Sequence, residues 1–118
     1  MAVHFENFVL NPDTRVLLRD GEMVKLQPKV MDLLLVLVEN HQRFVSKAEL
    51  HESLWGSLHV GNASLLRLIR ELRRALGDDG NNPHFVRTLH GRGYQFIAPV
   101  EHRRATDVSN TATVRAPR

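Results

Sequence analysis

The sequence contains no cysteine, which excludes disulfides and thiolate chemistry. Aromatic residues are few, one tryptophan, one tyrosine and five phenylalanines, and they make no platform of the kind on which single-stranded RNA bases stack. No apolar run approaches the roughly 20 residues needed to span a bilayer. The opening MAVHFENFVL has no basic segment ahead of a long apolar one, so no secretory signal is expected, and the protein is expected to be cytoplasmic. Histidine is plentiful, but His4, His41, His51, His59, His84, His90 and His102 show no HExxH or other metal-ligand spacing, and there is no Gly-x-Ser-x-Gly elbow. Gly91-Arg92-Gly93 lacks the third glycine and following helix of a dinucleotide site, and Asp78-Asp79-Gly80-Asn81-Asn82 lacks the final glutamate of a calcium loop. Neither catalysis nor a cofactor nor a metal is expected. There is no internal repeat.

What is present fits one domain: 118 residues, 42% hydrophobic and 25% charged, enough for a core without staples. The net charge of +3 is unevenly spread. Residues 1–61 carry six Lys/Arg against eight Asp/Glu, a balance of −2, whereas residues 62–118 carry ten against five, a balance of +5. An electropositive second half suits a polyanionic partner.

Phe5, Phe8, Val9 and Leu10 form an apolar stretch that reads as a strand, ended by the turn signal Asn11-Pro12-Asp13-Thr14. Asp20-Gly21 is a favoured two-residue hairpin loop, whose register sets Arg19 opposite Glu22 and Leu17 opposite Val24. Pro28 suits the first turn of a helix, in which Val30, Leu33, Leu34, Leu37 and Val38 recur at helical spacing up to about Asn40. Ser46-Lys47-Ala48-Glu49 has the capping-box form and opens a short helix to about Leu54. Residues 55–61 connect it to the next element.

That element is NASLLRLIRELRRALG, residues 62–77. On a helical wheel Leu65, Ile69, Leu72 and Leu76 fall within about 60° of one another, opposite Arg67, Arg70 and Arg74. One face requires a core; the other suits an anion. Asn62 is placed as N-cap and Gly77 as a left-handed C-terminal stop. Phe85–Leu89 and Tyr94–Ala98 then read as two strands of a hairpin tipped by His90-Gly91-Arg92-Gly93. From His102 the chain is polar with no apolar period, which predicts a domain over 1–101 and a disordered tail or linker over 102–118. Two helices, the second bearing arginines, followed by a hairpin with a basic tip make a winged helix-turn-helix plan. Such a helix fits the major groove, where guanidinium groups bond guanine O6 and N7, and a hairpin arginine fits the adjacent minor groove.

The runs PKVMDLLLVLVENHQRFVSKAELHESLW, LRLIRELRRALGDD and FVRTLHGRGYQFIAPV resemble the OmpR/PhoB-type winged-helix DNA-binding domain over nearly all of 5–100. The resemblance implies an α+β fold with a four-stranded N-terminal sheet, a three-helix bundle and a C-terminal hairpin wing. Helix 62–76 is then expected in the major groove and wing 85–98 at the minor groove of double-stranded DNA. By position in the family motif, Ala63, Ser64, Arg67 and Arg70 are implied to face bases, and Trp55, Arg73 and Arg74 to meet phosphate. Arg92, with His90 beside it, takes the wing position in the minor groove. Residues 55–61 correspond to the loop that contacts RNA polymerase in some members, and tandem or dimeric binding is an open expectation. Two positions depart from the family pattern. Leu66 stands where a polar residue is frequent, either touching a thymine methyl or packing under the connector. Glu71 stands where a basic residue is common and is expected to pair with a neighbouring cation. Because the sheet starts within a few residues of Met1, the layout is expected to match ToxR- or CadC-like regulators, with no receiver domain ahead. The competing expectation is a protein-interaction module that keeps the fold without specific DNA binding.

Overall fold

Alternation of apolar side chains builds the N-terminal elements, which the computed structural model shows as paired strands; it describes residues 2–58 and 60–103. Strand β1 (Ala2–Phe5) turns at Glu6-Asn7 into β2 (Phe8–Asn11), so the first apolar stretch is two strands where one was expected. Stacking of Phe5 on Phe8, ring centroids 5.3 Å apart, brackets that turn. Strands β3 (Val16–Arg19) and β4 (Glu22–Val24) follow in the expected register, Leu17 opposite Val24 and Arg19 opposite Glu22. Asp20 and Gly21 both have positive φ, as this kind of hairpin loop requires.

The sheet has a fifth strand. Residues Glu101–Arg103 (β8, the last strand among the described residues) pair antiparallel with β1, giving the order β4-β3-β2-β1-β8. Thus His102 and Arg103 lie in a strand rather than at the start of a tail, and the remainder of the expected tail, 104–118, falls outside the described residues. This strand has no apolar alternation; it is held by backbone pairing on the edge of β1, which leaves no mark in a hydrophobic pattern.

The chain up to Lys25 and from Pro99 forms one unit, and Leu26–Ala98 forms another. In the second, helix α1 (Pro28–Glu39) buries Val30, Met31, Leu33, Leu34, Leu37 and Val38, and packs on the two helices that follow. A two-residue strand, β5 (Val45–Ser46), leads into helix α2 (Lys47–Trp55). Ser46 Oγ accepts from the Glu49 amide at 3.1 Å. Glu49 in turn pairs with Arg43, which first of all, with the Ser46 amide also helping, holds its carboxyl below the usual range. Lys29 Nζ donates to Leu54 O at 2.7 Å, setting a cation on the carbonyl end of α2.

Helix α3 (Asn62–Leu76) buries Leu65, Leu68, Ile69, Leu72 and Leu76. Its N-cap is Gly61 rather than Asn62, which lies inside the first turn; the Ser64 amide donates to Gly61 O. Gly77 ends the helix at φ 73° in the left-handed region, and its amide donates to Arg74 O. Strands β6 (Val86–Leu89) and β7 (Gly93–Phe96) make the hairpin, and β7 also pairs with β5, so the order is β5-β7-β6. The fold is a winged helix-turn-helix.

Candidate nucleic-acid interface

Five apolar side chains pull one face of α3 inward, and the geometry of the helix then turns Ala63, Arg67, Arg70 and Arg74 outward. All four are exposed, and on a wheel they lie within about 60° of arc. Ser64 is half-buried on the flank of this face. Glu71 lies one turn beyond Arg67 and meets its Nε at 3.9 Å, the pairing expected from the sequence. Because the Arg67 side chain is 72% exposed, the pair adds little stability, yet it biases the direction of the guanidinium and leaves the Nη edge turned to solvent.

The wing backbone is anchored beside its turn, while the side chains of the turn stay open. The Arg92 amide donates to Leu89 O at 2.8 Å, with Gly91 between them at φ 73°, the conformation a tight turn needs at its third residue. Arg92 O then accepts from the Lys47 amide at 2.9 Å, which ties the wing backbone to the start of α2. Gly93 makes that approach feasible: a Cβ there would stand 2.0 Å from Val45 O and 2.8 Å from Ser46 Cα. The side chains of His90 and Arg92 remain exposed.

Arg73, assigned to phosphate by resemblance, is half-buried and turned toward the wing. Its Nη2 donates to Val86 O at 3.0 Å and to Thr88 Oγ1 at 2.7 Å. Nε is buried with no hydrogen-bond partner among the described residues. Burial pushes the Tyr94 phenol up, with the charge of Arg73 acting in the opposite sense. Arg73 is therefore a tie between α3 and β6, and only Nη1 is left for a ligand.

Asp78 is a residue whose part the sequence did not disclose. Its Oδ1 accepts from the His84 amide at 2.7 Å and the Phe85 amide at 3.3 Å, and its Oδ2 from the Val86 amide at 2.9 Å. One carboxylate thus satisfies the backbone donors that lead into β6, where composition alone suggested a solvated loop. An aspartate directly after the C-terminal glycine, eight residues before a strand, was the available signal.

Trp55 closes α2 half-buried, its indole 5.2 Å from the His51 ring on the preceding turn. Gly56 follows at φ 62°, and the exposed connector carries Leu58, 71% exposed. The arginine face, the wing tip and Trp55 all belong to the unit Leu26–Ala98. No helix among the described residues is long and apolar enough to cross a membrane.

HilA of Salmonella typhi is 40% identical over 96 residues, which are 81% of this chain and 17% of HilA. CadC of Escherichia coli K12, a transcriptional activator, is 29% identical over 100 residues, 84% of this chain and 20% of CadC. The chain thus spans a fifth or less of the length of these regulators. The Klebsiella pneumoniae RstA DNA-binding domain, solved in complex with the RstA box, superposes with a TM-score of 0.74 at 25% identity, covering 81% of this chain and 96% of that one. The DNA-binding domain of E. coli CadC gives 0.74 at 27% identity, covering 86% and 96%. Residues 21–96 match the family model described as "Transcriptional regulatory protein, C terminal", and the chain belongs to that family, the OmpR/PhoB-type DNA-binding domains.

Proposed function

We propose that this chain binds double-stranded DNA sequence-specifically as the DNA-binding part of a transcriptional regulator, with α3 in the major groove and the β6–β7 wing at the minor groove. The observation that carries this is the exposed cationic face Ala63, Arg67, Arg70 and Arg74, on which the Arg67–Glu71 pair is itself largely exposed. Arg67 and Arg70 read base edges, with Ala63 and Ser64 beside them. Arg74 and Trp55 meet phosphate, joined by the Nη1 edge of Arg73, and Arg92 with His90 follows the minor groove. This role is binding without chemistry, and it is exercised in the cytoplasm. The exposed Leu58 supports a contact between the 55–61 connector and RNA polymerase. The DNA-binding domain takes in strand β8 and so reaches Arg103 rather than ending at residue 101.

Selection of duplexes from a random pool, followed by gel shift at several salt concentrations, tests the proposal. A defined motif should emerge, and its half-site arrangement will distinguish monomer, tandem pair and symmetric dimer. With about four to six phosphates neutralised, log affinity should fall against log salt with a slope of roughly −4 to −5. A slope near zero, or a pool that never converges, refutes sequence-specific DNA binding.

A further inference from the structure

Leu66 is the one apolar residue of α3 larger than alanine that stays outside the core. It is 44% exposed, whereas Leu65, Leu68, Ile69, Leu72 and Leu76 are each at or below 4%. Its place in the helix is specific: Ala63 lies three residues before it, Arg67 directly after it and Arg70 four residues after it, all exposed. On the wheel Leu66 stands about 40° from Arg70 and about 60° from Ala63, on the edge of the cationic face. In the connector, the other exposed leucine, Leu58, keeps 71% of its surface open.

An isobutyl group held among guanidinium groups meets whatever those groups bring in. On a polyanion delivered by Arg67, Arg70 and Arg74, the floor of the major groove offers one apolar target, the C5-methyl of thymine. The other base edges present there are the N4 amine of cytosine, the N7 and O6 of guanine and the N7 and N6 of adenine. Each would lose water to a leucine that returns no hydrogen bond, at a cost. We infer that Leu66, with the methyl of Ala63 beside it, is a specificity-determining residue that selects a thymine by its C5-methyl group. The inference rests on the DNA-binding function proposed above and names a base that function leaves open. Because Leu66 and Arg70 are separated by about 6 Å along the helix axis, the thymine lies within one or two base pairs of the position Arg70 reads.

The test uses the duplex selected by the wild-type chain and replaces its thymines one at a time with deoxyuridine, which keeps every hydrogen-bonding group and removes only the methyl. At one thymine the wild type should bind about threefold to fivefold more weakly, the worth of a single buried methyl. In Leu66→Ala that uracil penalty should vanish, while Leu66→Met should keep most of it, both variants melting like the wild type. The cycle between the base change and the residue change isolates the contact from any general loss of affinity. A wild type that selects a duplex but is indifferent to every uracil overturns the inference alone. So does a penalty of equal size in the wild type and Leu66→Ala, which passes the methyl contact to another side chain. A Leu66→Ala variant that loses self-association in sedimentation while keeping the uracil penalty also overturns it, assigning the leucine to a second copy. A wild type that selects no duplex overturns the DNA-binding function itself, and this inference with it.

Discussion

Arg73 can be made to declare whether it holds the wing or holds DNA. Replacing it with methionine keeps most of the aliphatic stem in place and removes the guanidinium that donates to Val86 O at 3.0 Å and Thr88 Oγ1 at 2.7 Å. A hydrogen bond from a charged donor contributes about 1.5 to 3 kcal/mol when well sheltered. Here the bond to Val86 O is only partly buried and the one to Thr88 is exposed, so the two together should be worth about 1 to 3 kcal/mol. At about 4 °C per kcal/mol for a chain of this size, melting should fall by roughly 4 to 12 °C. Thermal unfolding by circular dichroism measures that loss. Gel shift on the selected duplex, across a salt series, measures the other side: with Nη2 committed to the wing, the salt slope should change by less than one. The wing should also lose its tie to α3, so sensitivity to the flanking base pairs should decline together with stability. Unchanged melting combined with a slope lowered by a full unit would refute the tie, and would return Arg73 to the plain phosphate role that the family resemblance implies.

Ile69→Ala, at 1% exposure, should destabilise by roughly 2 to 5 kcal/mol in urea titration, whereas Arg67→Ala should barely alter the midpoint; equal losses would show the two faces of α3 misassigned. Glu71→Ala frees the Arg67 guanidinium from its partner 3.9 Å away, and should raise affinity for random duplex about two- to tenfold while lowering the ratio of selected to random binding. Equal gains on both duplexes would show that Glu71 contributes only charge. Arg92→Ala should cost about 1 to 2 kcal/mol of affinity where the flank is an A-tract and much less where it is G·C-rich, measured by competition between the two duplexes. The His4 imidazole is held below its ordinary value by burial and then by the Arg103 charge, against the opposing pull of Glu101. Its neutral form therefore favours the folded state. That contribution is complete above about pH 6.5 and is lost as pH falls through the lowered folded-state value, so melting should drop less between pH 7 and pH 5 in His4→Gln than in the wild type.

Helix α3 was legible because its two faces differ in kind. Leu65, Leu68, Ile69, Leu72 and Leu76 and the arginines at 67, 70 and 74 separate on a period that only a helix reconciles. The Asp20-Gly21 hairpin was legible for a different reason: the loop chemistry fixes φ, and with it the register Leu17 to Val24. By contrast β5 and β8 are held by backbone hydrogen bonds, and two or three residues on a sheet edge carry no pattern that side chains can signal. The Glu6-Asn7 turn was hidden because Phe5 and Phe8 are both buried on either side of it, and the two residues between them include no glycine or proline to mark a turn. At the interface the sequence found the exposed arginines, because amphipathicity encodes them. It did not separate Arg73 from Arg74, since one residue along the helix turns a guanidinium by about 100°, and only the position of β6 shows which of the two meets the wing.

The near-contact of Gly93 with Val45 bears on promoter architecture. With Lys47 N to Arg92 O at 2.9 Å and no room for even one methyl at the crossing, the hairpin has no hinge of its own; it travels with the helices as one casting. On DNA such a body would work as a caliper with a welded jaw: the distance and the angular phase between the bases proposed for α3 and the flank proposed for Arg92 would be set by the protein, not negotiated with the duplex. One base pair inserted between those two stretches shifts the flank by about 3.4 Å and turns it by about 35°, and five carry it to the far side of the double helix, out of reach. Functional sites for this chain should therefore tolerate base changes in either stretch more readily than any change in the spacing between them.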